Sequence, residues 1–168
     1  MTWAARQPFW PRRLVLADAI SYAKESSPAR IIDIATLTGS TGLGPEIWGV
    51  IGTSPGLVGS LLAAGTRSGE PGWQLPLWEG YRKNIRSQIA DIRNHQLGMF
   101  WKHQAIWAAL YLSEFVGDTE WAHLDIAATV FRAEADDTWA AGATGSGTRT
   151  LIEFLRADAA GPAGSNVP

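Results

Sequence analysis

The sequence predicts an α/β fold: a mixed, mainly parallel sheet with helices on both faces. Segments with the apolar spacing of helices alternate along the chain with short strand-like runs, and this alternation is typical of βαβ units. The isoleucine-rich run at residues 30–36, between Pro28 and Gly39, predicts a strand buried on both faces. With 168 residues, no internal repeat and no long interior linker, the chain fits one folded unit.

The first half of the chain is predicted to contain two helices and two strands. The first helix follows Pro11, a residue suited to a first helical turn, and the strands cover residues 30–36 and 47–52. Ser54 and Pro55 predict the N-cap and first position of the second helix. The apolar positions are Leu16, Ala19, Ile20 and Ala23 in the first helix, and Leu57, Leu61 and Leu62 in the second.

The second half begins with a turn-rich stretch at 69–76 and a short polar helix at 81–86. Residues 103–116 are apolar nearly all round and predict a buried helix. Residues 121–126 alternate, which places Trp121, His123 and Asp125 on one face of a strand. Thr150-Leu-Ile-Glu153 predicts a capping box before a final helix whose inward residues are Leu151, Phe154 and Leu155.

Composition excludes several classes of function. The net charge is −2 and the pI is about 5.9, which gives no support for a nucleic-acid partner. The chain has no cysteine, so thiolate metal ligands and a cysteine nucleophile are excluded. The start lacks the apolar stretch of a secretory peptide, and the run 105–112 is far shorter than the ~20 residues that span a bilayer. We therefore expect a cytoplasmic protein without a membrane partner.

Several strings, taken together and in order, carry a family resemblance. They are Arg13-Leu-Val-Leu-Ala-Asp-Ala-Ile20, Ile32-Asp-Ile-Ala-Thr-Leu-Thr-Gly39, Gly69-Glu-Pro-Gly-Trp-Gln-Leu-Pro-Leu77, Ala90-Asp91, Trp121-Ala-His-Leu-Asp-Ile-Ala127, Gly142-Ala-Thr-Gly145 and Thr148-Arg-Thr-Leu151. The set resembles the catalytic domain of the leucyl aminopeptidase (cytosol aminopeptidase) family from about Arg13 to Leu155. The resemblance implies the later part of that domain, so the fold is expected to be truncated relative to it.

The resemblance also implies a chemistry that this sequence matches only in part. The family releases N-terminal amino acids from peptides with two divalent metals, zinc or manganese, whose charges are neutralised by several carboxylates. Its ligands come from a Val-Gly-Lys-Gly…Asp-Ser-Gly-Gly segment, a further aspartate and Asn-Thr-Asp-Ala-Glu-Gly-Arg. Aligning Arg13 with the last arginine places Phe9 at the aspartate, Pro11 at the glutamate and Arg12 at the glycine. Phenylalanine and proline side chains cannot bind a metal, so we expect this chain to have no metal ligands and no cofactor.

The remaining site residues implied by the resemblance are one arginine and one loop. Arg13 is the surviving catalytic residue and would anchor an anion that helps to shuttle a proton; its alternative role is an ion pair at a helix start. The backbone of Thr36, Leu37, Thr38 and Gly39 would line the substrate cleft. Ligands gather at the carboxyl ends of strands in open α/β sheets, although these residues also fit an ordinary strand-to-loop transition.

Two further groups of residues have both a functional and a structural interpretation. His123 and Asp125 share a strand face but are too few for a typical zinc site, so structural hydrogen bonding is the favoured interpretation. Lys102 and His103 form a basic pair suited to acid–base work or to a solvated helix entrance. The acidic run 134–137 fits a solvated loop. Met99, Phe100 and Trp101 replace a glycine-rich turn of the family and are expected to crowd a nearby cleft.

These observations divide the chain into a non-family segment at 1–12, a partial aminopeptidase-like domain at 13–158 and a flexible tail at 159–168. The first functional hypothesis is a family pseudoenzyme that is inactive alone. The alternatives are an interaction or oligomerisation module, in which half a sheet leaves an open strand edge, and a repurposed enzyme using Arg13, Lys102 and His103. The expected partners are a second copy or a full-length family member, with peptide as substrate only if another chain completes the site.

Nine tryptophans are a conspicuous feature of the composition. Trp73 and Trp121 lie inside the family strings and are predicted to be core residues. Trp3, Trp10 and Trp101 lie in or beside the departures from the family pattern, with Trp107 just beyond, and are expected to cover an open face or to contact a partner.

Overall fold

The computed structural model describes residues 10–39, 41–94, 103–137 and 139–161. Its main sheet has four strands: β1 (Arg30–Ala35), β2 (Trp48–Gly52), β3 (Gly72–Gln74) and β4 (Glu120–Asp125). Their order across the sheet is β1-β4-β2-β3. The β1–β4 and β2–β3 pairs are parallel, while β2 and β4 are antiparallel. This confirms the predicted mixed, mainly parallel sheet.

Helices cover both faces of the sheet. The α-helices within the described residues are α1 (Trp10–Lys24), α2 (Pro55–Ser68), α3 (Gln104–Val116) and α4 (Thr148–Ala159). Helices α1 and α3 pack on the face that carries Ile31, Ile51 and Trp121. Helices α2 and α4 pack on the opposite face, which carries Val50 and Leu124. The apolar side chains of alternate strand residues therefore fill two core layers, one on each side of the sheet.

Local signals locate several elements correctly. The Ser54 hydroxyl accepts a hydrogen bond from the Leu57 backbone N at 3.3 Å, and Pro55 is the first residue of α2. Trp121, His123 and Asp125 lie on one face of β4 and are all buried. Helix α3 is apolar on most of its circumference because the sheet, α1 and a 3₁₀ helix (Glu79–Ile85) surround it. That 3₁₀ helix occupies the segment where a short polar helix is predicted.

The predicted capping box at Thr150 and Glu153 is wrong. Helix α4 already begins at Thr148, after Gly147, whose φ of +84° is the left-handed conformation that glycine adopts at low cost. Thr150 is therefore inside the first turn, where it is fully buried. Leu155 is 61% exposed and does not point inward, whereas Phe154 is buried and Leu151 partly buried.

Two other predictions about the core have opposite outcomes. Trp121 is fully buried, as predicted, but Trp73 is 64% exposed because it lies on the short edge strand β3. Strand β3 itself falls in the stretch predicted to be turns. A separate two-stranded antiparallel sheet, β5 (Phe131–Arg132) with β6 (Gly142–Ala143), is also absent from the prediction.

No helix in the described parts of the chain is long and apolar enough to cross a membrane. At the edge of the main sheet, β1 pairs with β4 on one side and with no other strand among the described residues.

Candidate functional site

The carboxyl ends of β1 and β4 lie side by side at one edge of the main sheet. Ala35 is paired with Asp125, and the Ile126 backbone N donates to the Ala35 carbonyl at 3.1 Å. The loop of residues 36–39 leaves β1 at this point, and the start of α1 lies beside it, because Arg12 donates to the Thr36 hydroxyl at 3.0 Å. The residues that the sequence singles out in α1, the loop and β4 therefore meet in one region.

Arg13 is a buried cation near this edge. Its Nη1 donates to the carbonyl of Asn94 at 2.7 Å, a contact between residues far apart in the chain. Burial lowers the pKa of Arg13 to about 10, and the charge of Asp125 opposes this effect. Its Nε is also buried and has no acceptor among the described residues. The guanidinium is thus held by protein groups rather than by solvent.

The loop at 36–39 is anchored by polar contacts on both sides. The Thr38 hydroxyl donates to Asp125 Oδ2 at 2.5 Å, while the Ala127 backbone N donates to Asp125 Oδ1 at 3.1 Å. The Gly39 backbone N donates to the side-chain oxygen of Gln104, the first residue of α3, at 3.3 Å. Of the four predicted cleft residues, Leu37 and Thr38 are buried, Thr36 is half-buried and Gly39 is exposed. Only Thr36 and Gly39 therefore present surface to solvent at this edge.

A second polar group lies deeper on the same face of the sheet. Asp33 and His123 are register partners in β1 and β4, and His123 Nδ1 is hydrogen-bonded to Asp33 Oδ1. The indole Nε1 of Trp121 donates to Asp33 Oδ2 at 2.6 Å. Complete burial lowers the pKa of His123, but the charge and hydrogen bond of Asp33, with the charge of Asp125, raise it above its ordinary value. Asp33 and His123 thus form a buried hydrogen-bonded pair, which becomes an ion pair when His123 is protonated.

Both aspartates of this region bind protein groups. No group of three histidine, aspartate or glutamate side chains that could hold a metal occurs within residues 10–39, 41–94, 103–137 and 139–161. Both oxygens of Asp33 and both of Asp125 already accept hydrogen bonds. His123 and Asp125 bind different partners, which agrees with the structural interpretation of that pair.

The other candidates do not join this region. His103 is exposed and precedes α3 with a φ of +59°, and its ring stacks on that of Tyr81 with centroids 5.3 Å apart. Its proposed companion Lys102 lies outside the described residues, as do Phe9, Met99, Phe100, Trp101 and Trp3. Residues 134–137 are exposed, as predicted for a solvated loop. Trp107 is buried inside the core, and nothing is described of the Trp10 side chain.

Sequence reasoning misses three residues that organise the region, Asp33, Asn94 and Gln104, and also Glu70, which binds the start of α4. Asp33 had a usable signal, because an aspartate within an isoleucine-rich buried strand needs a polar partner. Asn94 and Gln104 act through bonds to residues 81 and 65 positions away, which no local pattern reveals. Glu70 is buried beside α4 and accepts from the Thr150 backbone N at 2.8 Å.

Comparison with known proteins identifies the family. The model of the cytosol aminopeptidase family, catalytic domain, matches residues 12–152. A probable cytosol aminopeptidase of Roseiflexus castenholzii is 46% identical over 150 residues, covering 86% of this chain and 30% of that protein. Similar proteins of Geobacter sp. (strain M21) and Desulfotalea psychrophila are 45% and 44% identical and are each covered over 29% of their length.

The chain thus spans about 30% of the length of the curated relatives that it matches. The matched region includes Arg13, the loop at 36–39, the Asp33–His123 pair and the start of α4. This chain belongs to the cytosol aminopeptidase family.

Proposed function

We propose that this chain is a family catalytic-domain segment that does not hydrolyse peptides on its own. The observation that carries the proposal is that both carboxylates on this face of the sheet already accept hydrogen bonds from protein groups. Asp33 and Asp125 are committed to His123, Trp121, Thr38 and the Ala127 backbone, and the described residues offer no group of three ligands. A two-metal mechanism needs several free carboxylates that converge on one site.

Within this proposal, the chain provides structural support rather than the reacting groups. Asp125 holds Thr38 and lies close enough to Arg13 for their charges to interact. The loop at 36–39 and the start of α1 are thereby fixed at the carboxyl edge of the sheet. A substrate would meet this preformed edge, but cleavage would require ligands from beyond the described residues. We place the protein in the cytoplasm because the similar relatives are cytosol aminopeptidases.

The experiment is an aminopeptidase assay on the purified chain. Leucine anilide is incubated with the protein in manganese or zinc, with and without a chelator, and the full-length Roseiflexus castenholzii relative serves as positive control. The proposal expects no chelator-sensitive hydrolysis above the protein-free rate. Chelator-sensitive turnover that co-purifies with this chain would refute it.

A second candidate function is an interaction module, favoured by the unpaired edge of β1. No other strand covers this edge in the described part of the chain, and apolar side chains are exposed on the helices at both faces. Exposed strand edges are ready sites for pairing with another chain. Light scattering of the chain alone and mixed with the full-length relative tests this function. A monomer that binds neither itself nor the relative would count against it.

The repurposed-enzyme alternative receives no comparable support. Arg13 is buried against Asn94, whereas His103 is exposed and stacks on Tyr81. No hydrogen bond joins Arg13 to His103 among the described residues.

A further inference from the structure

A cavity lies between the start of β2, the turn after α2 and the small β5–β6 sheet. Its volume is about 260 Å³. The lining includes the charged residues Glu46, Glu70, Arg132 and Asp136 and the tryptophans Trp48 and Trp139. Neither Arg13 nor the loop at 36–39 is part of this lining. The cavity is therefore formed without the residues of the candidate site described above.

The walls of this cavity are held by contacts within the protein. Trp48 Nε1 donates to the Glu70 carbonyl at 2.7 Å. The Trp139 backbone N donates to Asp136 Oδ1 at 2.7 Å, and Arg149 Cζ lies 4.8 Å from the centroid of the Trp139 ring. Arg149 Nε is in turn 3.4 Å from Glu70 Oε1, so the loop that carries Trp139 is connected to the opposite wall. A ligand would thus meet a preformed site, which lowers the cost of binding.

The guanidinium of Arg132 is a cation in this cavity with unused hydrogen-bonding capacity. Its side chain is only 19% exposed, and its Nη1 is 3.1 Å from Asp136 Oδ2. Its Nε is buried and has no acceptor among the described residues. The Nε–Nη edge of a guanidinium is a planar pair of donors that matches the two oxygens of a carboxylate. Arg132 is therefore suited to bind a carboxylate ligand while it keeps its contact with Asp136.

The other charges of the cavity favour a ligand that also carries a positive group. Three carboxylates line it, those of Glu46, Glu70 and Asp136, against the single cation of Arg132. Glu70 and Asp136 already bind protein groups. Glu46 is exposed, and its side chain has no partner within the described part of the chain. An ammonium group near Glu46 would be attracted, whereas a ligand with negative charge alone would be repelled.

The size and the apolar walls of the cavity limit the ligand further. Its volume of about 260 Å³ is below the ~300–1,000 Å³ of pockets that hold larger ligands. It therefore suits a single amino acid better than a peptide. Pro45, Pro71 and Trp139 supply apolar surface on its walls, which can cover an apolar side chain of the ligand.

We propose that this cavity binds one free α-amino acid with an apolar side chain. Arg132 binds the carboxylate, Glu46 attracts the ammonium group, and the side chain of the ligand lies against Pro71 and Trp139. A zwitterion matches both charges of the cavity at once, which a lone anion or a lone cation cannot do. Binding here is independent of whether the chain hydrolyses peptides, because neither Arg13 nor Asp125 lines the cavity.

Isothermal titration calorimetry with three matched compounds tests the class of ligand. Leucine carries both charged groups, isocaproate is leucine without the ammonium group, and isoamylamine is leucine without the carboxylate. We expect one leucine to bind per chain, at least tenfold more tightly than either analogue. Isocaproate that binds as tightly as leucine would overturn the zwitterion assignment. A lack of binding of leucine, valine and alanine, confirmed by equilibrium dialysis, would overturn the site.

Substitutions at the two charged residues test the location. Arg132→Gln is expected to weaken leucine binding at least tenfold, whereas Arg156→Gln, at a side chain 75% exposed on α4, is the matched control and should leave it unchanged. Glu46→Gln should weaken leucine binding and strengthen isocaproate binding, because it removes the charge that attracts an ammonium group and repels a lone carboxylate. Glu25→Gln, at an exposed position after α1, should change neither.

Circular dichroism checks that the four variants are folded. Because Glu46 is exposed, its substitution still tests the proposal if Arg132→Gln does not fold. Leucine binding that weakens in Arg132→Gln and Glu46→Gln but not in the controls supports the proposal. Binding that Glu46→Gln leaves unchanged, or that the two control substitutions weaken equally, overturns it because leucine then binds elsewhere on the chain.

Discussion

Glu70 binds the first turn of α4 through Thr150. One oxygen of its carboxylate accepts from both the backbone N and the hydroxyl of Thr150, at 2.8 and 2.9 Å, while Arg149 Nε is 3.4 Å from the other oxygen. Gly147, the residue before the helix, has no side chain to cap it. The carboxylate therefore replaces a local N-cap, satisfies an end N–H of the helix and complements its positive dipole.

Replacing Glu70 with glutamine should lower the free energy of unfolding by about 2 kcal/mol, because a buried charge-assisted hydrogen bond becomes a neutral one. Urea denaturation of the variant measures this loss. Glu134→Gln, in the exposed loop, is the matched control and should change stability by less than about 0.5 kcal/mol. Equal effects of the two substitutions would contradict the capping role.

The Asp33–His123 pair predicts a pH dependence of stability. The pKa of His123 is raised in the folded protein, so the pair contributes fully below the unfolded value near 6.5. That contribution is lost as the pH rises through the folded pKa. Nuclear magnetic resonance titration of the His123 ring should give a midpoint above about 6.5. The double substitution His95→Gln and His103→Gln leaves His123 as the one histidine and assigns its signal. A midpoint below that value would show that burial outweighs Asp33.

Arg13 and Asp125 should be energetically coupled. Arg13→Met removes a buried cation near Asp125 and should cost about 3 kcal/mol of stability. Combined with Asp125→Asn, the loss should be smaller than the sum of the two single losses by about 1–3 kcal/mol. A double-mutant cycle by urea denaturation measures this coupling. Arg12→Met, on the exposed neighbour of Arg13, is the control and should cost less than about 1 kcal/mol. Strict additivity of the Arg13 and Asp125 changes would contradict the coupling.

Removing the N-cap of α2 should lower the free energy of unfolding by less than the changes at Glu70 and Arg13 do. Ser54 accepts from the Leu57 backbone N and donates to Glu120 Oε1 at 2.6 Å. Ser54→Ala should therefore lower stability by about 1 kcal/mol, whereas Ser54→Asp should retain the cap but place a negative charge beside Glu120. Thermal unfolding of the two variants separates the capping bond from the bond to Glu120. An alanine variant as stable as the parent would contradict the assigned cap.

The elements predicted correctly are those with local causes. The Ser54-Pro55 start of α2, the alternation that buries Trp121 and His123, and the isoleucine-rich β1 all depend on neighbours within a few residues. The failures depend on distant partners. The cap of α4 comes from Glu70, eighty positions before Thr150, so a plausible local capping box at Thr150 is misleading.

The same distinction between local and distant causes applies to the candidate site. The strand end at residues 36–39 and the placement of Arg13 beside it are accessible from sequence pattern and resemblance. The contacts that hold them are not, because Asn94 and Gln104 approach from segments far away in the chain. The prediction that Trp73 is buried is wrong, because it depends only on the position of this tryptophan inside a family string. The side chain is exposed because β3 lies at the edge of the sheet.

Metal stoichiometry tests the central claim most directly. The purified chain is dialysed against zinc or manganese, and bound metal is measured by elemental analysis, with the full-length Roseiflexus castenholzii relative beside it. We predict that this chain retains no tightly bound metal pair, because Asp33 and Asp125 already accept hydrogen bonds from protein groups. Two chelator-removable metal equivalents per chain, with hydrolysis of leucine anilide, would contradict the account.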